Sequence, residues 1–285
     1  MLKASDQAEG IRQRRNDGSP KRERKQLVLG NTRTIAVTSG KGGVGKTQIS
    51  ANLAVSLARE GARVLLLDAD LGLASQDLVF GVKPRADLLS VMRGEERVED
   101  ILIEAAPGVQ LLPACPGRYE MANLSAPDRE RLMNLVQEVA SGFDAWIIDT
   151  GAGIGSNSVA FAEVADEIVL VVTPDPTSLR DAYAMAKILH RRSSIDRIQL
   201  VANQVEHHTH GLEVYQRLNG VVRNFLALDL NFLGSIPKDA AIPSAIASGH
   251  PCVLGAPQSP AARAMETLAK RLHAEFKPKS PNELC

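Results

Sequence analysis

Thr34-Ile35-Ala36-Val37-Thr38-Ser39-Gly40-Lys41-Gly42-Gly43-Val44-Gly45-Lys46-Thr47-Gln48-Ile49 is the stretch from which the rest of the chain is read. A short β-branched, apolar run passes through a cluster of glycines into a segment with apolar residues at Ile49, Leu53, Ala54 and Leu57, the spacing of one helical face that Gly61 ends. The order predicted is strand, loop, helix. Gly40 to Thr47 satisfies the pattern G-x-x-x-x-G-K-[ST] at that strand-to-helix turn. Glycines there let backbone N–H groups converge on phosphate oxygens at the positive end of a helix. In this geometry Lys46 meets the β- and γ-phosphates and the Thr47 hydroxyl ligates Mg²⁺. The expected nucleotide-binding residues are Gly40, Gly42, Gly43, Val44, Gly45, Lys46, Thr47 and Gln48. The alternative is a glycine-rich turn that holds nothing, and the placement between strand and helix argues against it.

Outward from this turn, aliphatic runs at Arg63–Asp68, Gln110–Pro113, Ala145–Asp149, Glu167–Val172, Ile198–Val205 and Asn231–Ile236 alternate with helical stretches. Alternation of this kind predicts βαβ units and a parallel sheet of seven or eight strands. Helices are expected over Thr47–Glu60, Ser125–Ala140, Ser156–Ala165, Thr177–His190, Gly211–Phe225 and Ser259–Phe276. Runs such as Val64-Leu65-Leu66-Leu67 are apolar at every position, as strands covered on both faces are. The fold class expected is α/β, a single doubly wound, mostly parallel sheet with helices on both faces.

The 285 residues are 44% hydrophobic, 23% charged and 4% aromatic, which excludes disorder and collagen-like repetition. The 33 basic residues balance 33 acidic ones, so no global field draws the protein to nucleic acid or to an anionic membrane. The balance is uneven along the chain: residues 1–33 carry nine Lys/Arg against four Asp/Glu. That segment reads as a flexible basic arm, residues 34–276 as the folded domain, and 277–285 as a tail. Cys115, Cys252 and Cys285 show no paired spacing, and no window reaches the length of a membrane span. A cytoplasmic protein is expected.

Lys41 departs from an ordinary phosphate loop, which requires no lysine directly after its first glycine. The string Lys-Gly-Gly-Val-Gly-Lys-Thr resembles the deviant Walker A of the MinD/ParA class of P-loop ATPases. The resemblance implies ATP and Mg²⁺ as cofactors and an ATP-dependent homodimer in which Lys41 reaches the partner's nucleotide and adds positive charge in the transition state. A solvated loop lysine is the plainer reading.

The same resemblance assigns roles to carboxylates at strand ends, the rim where α/β sheets bind ligands. Asp68-Ala69-Asp70-Leu71-Gly72 matches switch I, with Asp70 orienting the attacking water and Asp68 assisting at the metal or in its hydrogen-bond surroundings. Asp149-Thr150-Gly151-Ala152-Gly153 matches Walker B joined to switch II, Asp149 holding Mg²⁺ through water. Adenine recognition falls by the family pattern on Asn203 and on the neighbourhood of Pro237. Lys41, Lys46 and Asp70 are thus the expected catalytic residues, and Thr47, Asp68 and Asp149 the metal set.

Together with Pro176-Thr177-Ser178-Leu179-Arg180-Asp181-Ala182-Tyr183, these segments are similar to the flagellar number regulators FlhG/FleN, a MinD-like group. The implied function is a slow, dimer-activated ATPase switch acting on flagellar number or placement. The implied partners include a flagellar transcription activator or switch-complex protein. Asp6-Gln7-Ala8-Glu9-Gly10-Ile11-Arg12 resembles the element with which some of these proteins stimulate the flagellar GTPase FlhF; a solvated basic tail is the other reading. Localisation at the cell pole or peripheral to the inner membrane belongs to the same picture. A stripe of Ala261, Met265, Leu268, Leu272 and Phe276 reads as core-facing more than membrane-binding, because few basic residues flank it. His207, His208 and His210 crowd one loop without the carboxylate or cysteine spacing of a metal site. The alternatives are a partitioning or polar-cargo ATPase, for which direct nucleic-acid contact is not expected here, and a nucleotide-bound adaptor that does not hydrolyse.

Overall fold

The computed structural model describes residues 32–193, 195 and 197–274. Residues 1–31 of the basic arm with its Asp6–Arg12 element, the tail and Phe276 lie outside the described residues. The last two residues read as arm belong instead to the domain: Arg33 opens β1, and buried Thr32 donates its hydroxyl to the Phe143 carbonyl at 2.6 Å. Eight strands form one sheet: β1 (Arg33–Thr38), β2 (Val64–Ala69), β3 (Ile103–Ala106), β4 (Val109–Leu112), β5 (Ala145–Thr150), β6 (Glu167–Val172), β7 (Ile198–Val205) and β8 (Asn231–Pro237). Their spatial order is β3-β4-β2-β5-β1-β6-β7-β8, and every neighbouring pair is parallel except β3 with β4.

Alternate residues of each central strand feed two separate cores. Leu65, Leu67, Trp146 and Ile148 face one helix layer, and Val64, Leu66 and Ile147 face the other. Both layers exclude water, which is why these strands are apolar at every position instead of alternating. The long helices are α1 (Lys46–Arg59), α5 (Ala126–Ala140), α7 (Pro176–Ser193), α8 (His208–Leu226) and α11 (Pro260–Ala274). Helix α5 starts where its cap chemistry places it: Ser125 accepts a hydrogen bond from the Asp128 N–H at 3.2 Å, with proline in the first turn. The final helix α11 buries Ala261, Met265, Leu268 and Leu272, so the apolar stripe belongs to the core.

Shorter elements escape the sequence pattern. Strand β3 is a four-residue antiparallel edge joined to β4 by a tight turn at Gly108. Helices α2 (Gln76–Phe80), α3 (Leu88–Met92), α4 (Tyr119–Ala122), α6 (Ser156–Glu163), α9 (Ala241–Ala247) and α10 (Cys252–Gly255) complete the chain. Of these only α6 is long enough to show a helical stripe and was expected. The others span two turns or less, too few for a periodic signal. The insertion of β3 makes the Asp149 strand fifth in chain order. Register sets the site: β2 and β5 pair so that Asp68 stands directly beside Asp149.

Candidate nucleotide-binding site

Gly40 leaves β1 pressed against the first turns of α7. A Cβ at Gly40 would lie 2.0 Å from the carbonyl of Asp181, so no larger residue fits. Gly45 has φ of 97°, and its missing Cβ would sit 2.4 Å from the Asn203 amide nitrogen. That amide donates to the Val44 carbonyl at 2.7 Å, and the Gln204 amide reaches the Gly43 carbonyl at 3.4 Å. Gln204 holds a left-handed backbone, φ 57°, where β7 is irregular against β8, a conformation rare for a side chain of this size. Two neighbouring amides at the end of β7 therefore clamp the loop from outside. Gly153 N–H donates to the Ser39 carbonyl at 3.1 Å and steadies it from the switch II side.

Lys46 begins α1 and is 7% exposed. Burial pulls its amine pKa down, and the carboxylates of Asp149 and Asp70 oppose that shift. Asp149 is buried at the end of β5 and accepts from the Ser50 hydroxyl at 3.2 Å and from the Gln76 amide at 3.0 Å. Burial pushes its carboxyl up to about 6, against Lys46, Thr47, Gln76 and Ser50, which favour the charged form. Asp68 is pushed up to about 7, chiefly by burial and then by the adjacent Asp149 charge. The Asp68 carboxylate accepts from the backbone N–H groups of Ser75 at 2.8 Å, Gln76 at 2.9 Å and Asp70 at 3.3 Å. It therefore shapes the turn that follows β2 as well as lying beside Asp149. Asp70 is half-buried at that turn, and a Cβ at Gly151 would come within 3.6 Å of its Oδ1, so switch I and switch II meet there.

Lys41 is placed differently. Its Nζ lies 2.7 Å from both Asp175 Oδ2 and Thr177 Oγ1 at the start of α7, with its side chain 41% exposed. This contact holds Asp175 well below the usual carboxylate range, at about 2, with help from Thr177. The lysine lines an open cleft of about 400 Å³ with Gly42, Gly43, Asp175, Gln204 and Lys238. Pro237 closes β8 opposite Val205 and lines a separate cleft of about 290 Å³. His207 caps α8 by accepting from the His210 N–H at 3.1 Å, and the His208 ring meets the Ser235 hydroxyl at 3.0 Å.

The residues present fit a magnesium nucleotide. Thr47, Asp68 and Asp149 offer only oxygen, the donor set of a hard cation that keeps water and phosphate in its coordination sphere. The left-handed glycines Gly43 and Gly45 open the backbone as a phosphate cradle requires. Gln48 Oε1, Gln76 Oε1 and Asn203 Oδ1 are buried without a hydrogen-bond partner, as polar atoms awaiting a ligand are. One N–H of the Asn203 amide is engaged by the Val44 carbonyl, and its oxygen is the atom left without a partner. Sequence reading missed Ser50, Gln76, Asp175 and Gln204. Asp175 carried a usable signal, a carboxylate just past a strand's end like Asp68 and Asp149. Gln76 carried little, being one polar residue before an apolar turn.

Residues 30–273 match the model of the ParA family, described as NUBPL iron-transfer P-loop NTPase. The antiactivator FleN of Pseudomonas aeruginosa is 37% identical over 247 residues, covering 87% of this chain and 88% of that protein. The flagellum site-determining protein YlxH of Helicobacter pylori is 43% identical over 216 residues, 75% of this chain and 72% of that protein. Among solved structures, the septum site-determining protein MinD complexed with Mg-ADP from Pyrococcus horikoshii superposes with a TM-score of 0.73. It is 28% identical and covers 87% of this chain and 99% of its own.

Proposed function

The chain belongs to the ParA/MinD family of P-loop NTPases, and from that premise we propose that it is an ATP-driven switch controlling flagellar number or placement through partner proteins. As a member of the family it is an ATPase that uses ATP with Mg²⁺. The observation that carries the reading is the loop with two lysines in unlike settings: Lys46 buried beneath Asp149 and Asp70, Lys41 on the open rim. The buried amine grips phosphate. The rim amine is available to a second molecule once Asp175 and Thr177 release it.

Thr47 and Asp149 would hold Mg²⁺, which when bound would neutralise charge on the phosphates, and Asp68 keeps the switch I turn in place beside them. Asp70 accepts a hydrogen bond from a water molecule and so orients that water toward the γ-phosphate. Gly151 and Gly153 let switch II follow the loss of that phosphate. Lys41 from a second copy completes the charge around the transferring group, so hydrolysis is slow in the monomer and rises on dimerisation. Asn203 and the Pro237 region receive the adenine. The Asp6–Arg12 element stimulates a flagellar GTPase, and nucleotide state selects which partner surfaces are exposed, at the pole or elsewhere.

The flagellar assignment rests on the relatives named FleN and YlxH. Its test is flagellar counting in a deletion strain complemented with wild type or Asp70→Ala. Restored number with the first and altered number with the second are expected; a flagellar count indifferent to the deletion contradicts the assignment. For the arm, substituting Gln7 should abolish stimulation of the GTPase, and unchanged stimulation removes that role.

A further inference from the structure

Helix α2 opens with a glutamine whose placement the nucleotide chemistry above does not use. Gln76 is 0% exposed. Its Nε2 donates to Asp149 Oδ2 at 3.0 Å and to the Thr47 carbonyl at 3.1 Å, while its backbone N–H donates to Asp68 at 2.9 Å. One residue thus touches both carboxylates of the metal set and the backbone of the residue whose hydroxyl ligates the metal. Both neighbours of the side-chain nitrogen are acceptors, so the amide cannot be flipped without facing oxygen against oxygen. Its remaining atom, Oε1, is buried with no hydrogen-bond partner. The planar amide keeps that oxygen in the same pocket as the nitrogen. A buried carbonyl left without a partner is unfavourable, more so than an apolar side chain of the same shape would be in its place. Such a residue is explained by a donor that arrives with the ligand.

We propose that Gln76 is a positioning residue for the magnesium site: Nε2 fixes the orientation of Asp149, and Oε1 accepts a hydrogen bond from a water of the metal's hydration sphere. Ser50 holds Asp149 Oδ1 and Gln76 holds Oδ2, so the carboxylate is pinned at both oxygens. Because Gln76 also begins the helix that follows switch I, and Asp68 holds its N–H, metal binding and the ordering of switch I become one event. This role rests on the Mg-ATPase reading and deepens it. Residues surrounding a metal site in this manner change metal affinity by about 10- to 100-fold when removed.

The test compares wild type with Gln76→Leu and Gln76→Met, two apolar replacements of similar volume, using a fluorescent N-methylanthraniloyl-ADP probe titrated with and without Mg²⁺. Folding of each variant is checked by thermal melting, and the methionine, more flexible in shape, serves if leucine fails to pack. Expected is a Mg²⁺ midpoint raised about tenfold or more, with metal-free ADP affinity within about twofold of wild type. An unchanged Mg²⁺ midpoint overturns the proposal, and so does an equal loss of affinity with and without metal, which marks a packing role. Wild type that bound no ADP under either condition would overturn the ATPase reading itself.

Discussion

Two carboxyl groups side by side at the buried ends of neighbouring interior strands are costly when both are ionised, and Asp68 and Asp149 are so placed. Each stands above the usual carboxylate range, at about 7 and about 6. An acid whose folded pKa is raised holds a proton that the unfolded chain has released, so its favourable state is lost as pH rises through the folded value. The depressed acids Glu99, Asp144, Asp175 and Asp239 titrate below that window and contribute evenly across it. The metal-free protein should therefore melt at higher temperature at pH 5 than at pH 8, and Asp68→Asn should shrink the difference by a few degrees, about the shift of 1 kcal/mol in a chain of this size. Thermal melts in a chelator check this, and an undiminished difference in the variant contradicts it. Lys41 gives a second prediction at this scale. Its pair with Asp175 is exposed, and such pairs are worth little, so Asp175→Ala should move the ATP-dependent monomer–dimer midpoint to lower protein concentration by about twofold to fivefold. Sedimentation over a concentration series reads it; a midpoint moved upward shows that Asp175 favours the dimer instead of holding the lysine back. What the sequence told at this scale was identity of chemistry, not occupancy. Lys46, Asp70 and Asp149 lie near one another, while the hydrogen bonds that occupy Lys41 and Asn203 come from residues distant in sequence and those on Asp68 from the turn that follows it.

The loop between β1 and α1 is held as an element by three neighbours: α7 against Gly40, the end of β7 against Gly43 to Gly45, and switch II against Ser39. Gly40→Ala should therefore lower stability and not nucleotide affinity alone, because its methyl meets the backbone of Asp181, which cannot rotate away. Overpacking of this kind costs about 1–3 kcal/mol. Urea unfolding of nucleotide-free protein measures it, and a wild-type midpoint contradicts it. Long elements were legible because burial on both faces or on one stripe writes itself into spacing: β2, β5 and β6 as apolar runs, α5 by Ser125 and its proline. The short helices α2 to α4 and the edge strand β3 were not, since four or five residues hold little more than one helical turn, too few for a repeat, and β3 is fixed by pairing with β4.

At the scale of the whole molecule the sheet order brings the C-terminal ends of β1, β2, β5, β6, β7 and β8 to one rim, and the residues assigned to ATP chemistry lie along it, in the loops beyond or in the first turns of α1 and α2. The doubly wound architecture was readable because strand and helix patterns alternate with few interruptions. The rim cleft beside Lys41 was not, as a space between loops leaves no trace in local spacing. Helix α11 packs against α1 and β8 with its apolar face inside, so its stripe serves the core of this chain. The open face around Lys41 is where the account places a second copy, each supplying a lysine to the other's triphosphate. The most direct test is size-exclusion chromatography with light scattering of wild type, Lys41→Ala and Asp70→Ala, each with Mg-ADP and with Mg-ATP. Expected are monomers throughout with ADP, an ATP-dependent dimer of wild type that accumulates in Asp70→Ala, and a Lys41→Ala protein that stays monomeric with ATP. A Lys41→Ala protein that dimerised with ATP as readily as wild type would contradict the exchange of lysines between copies.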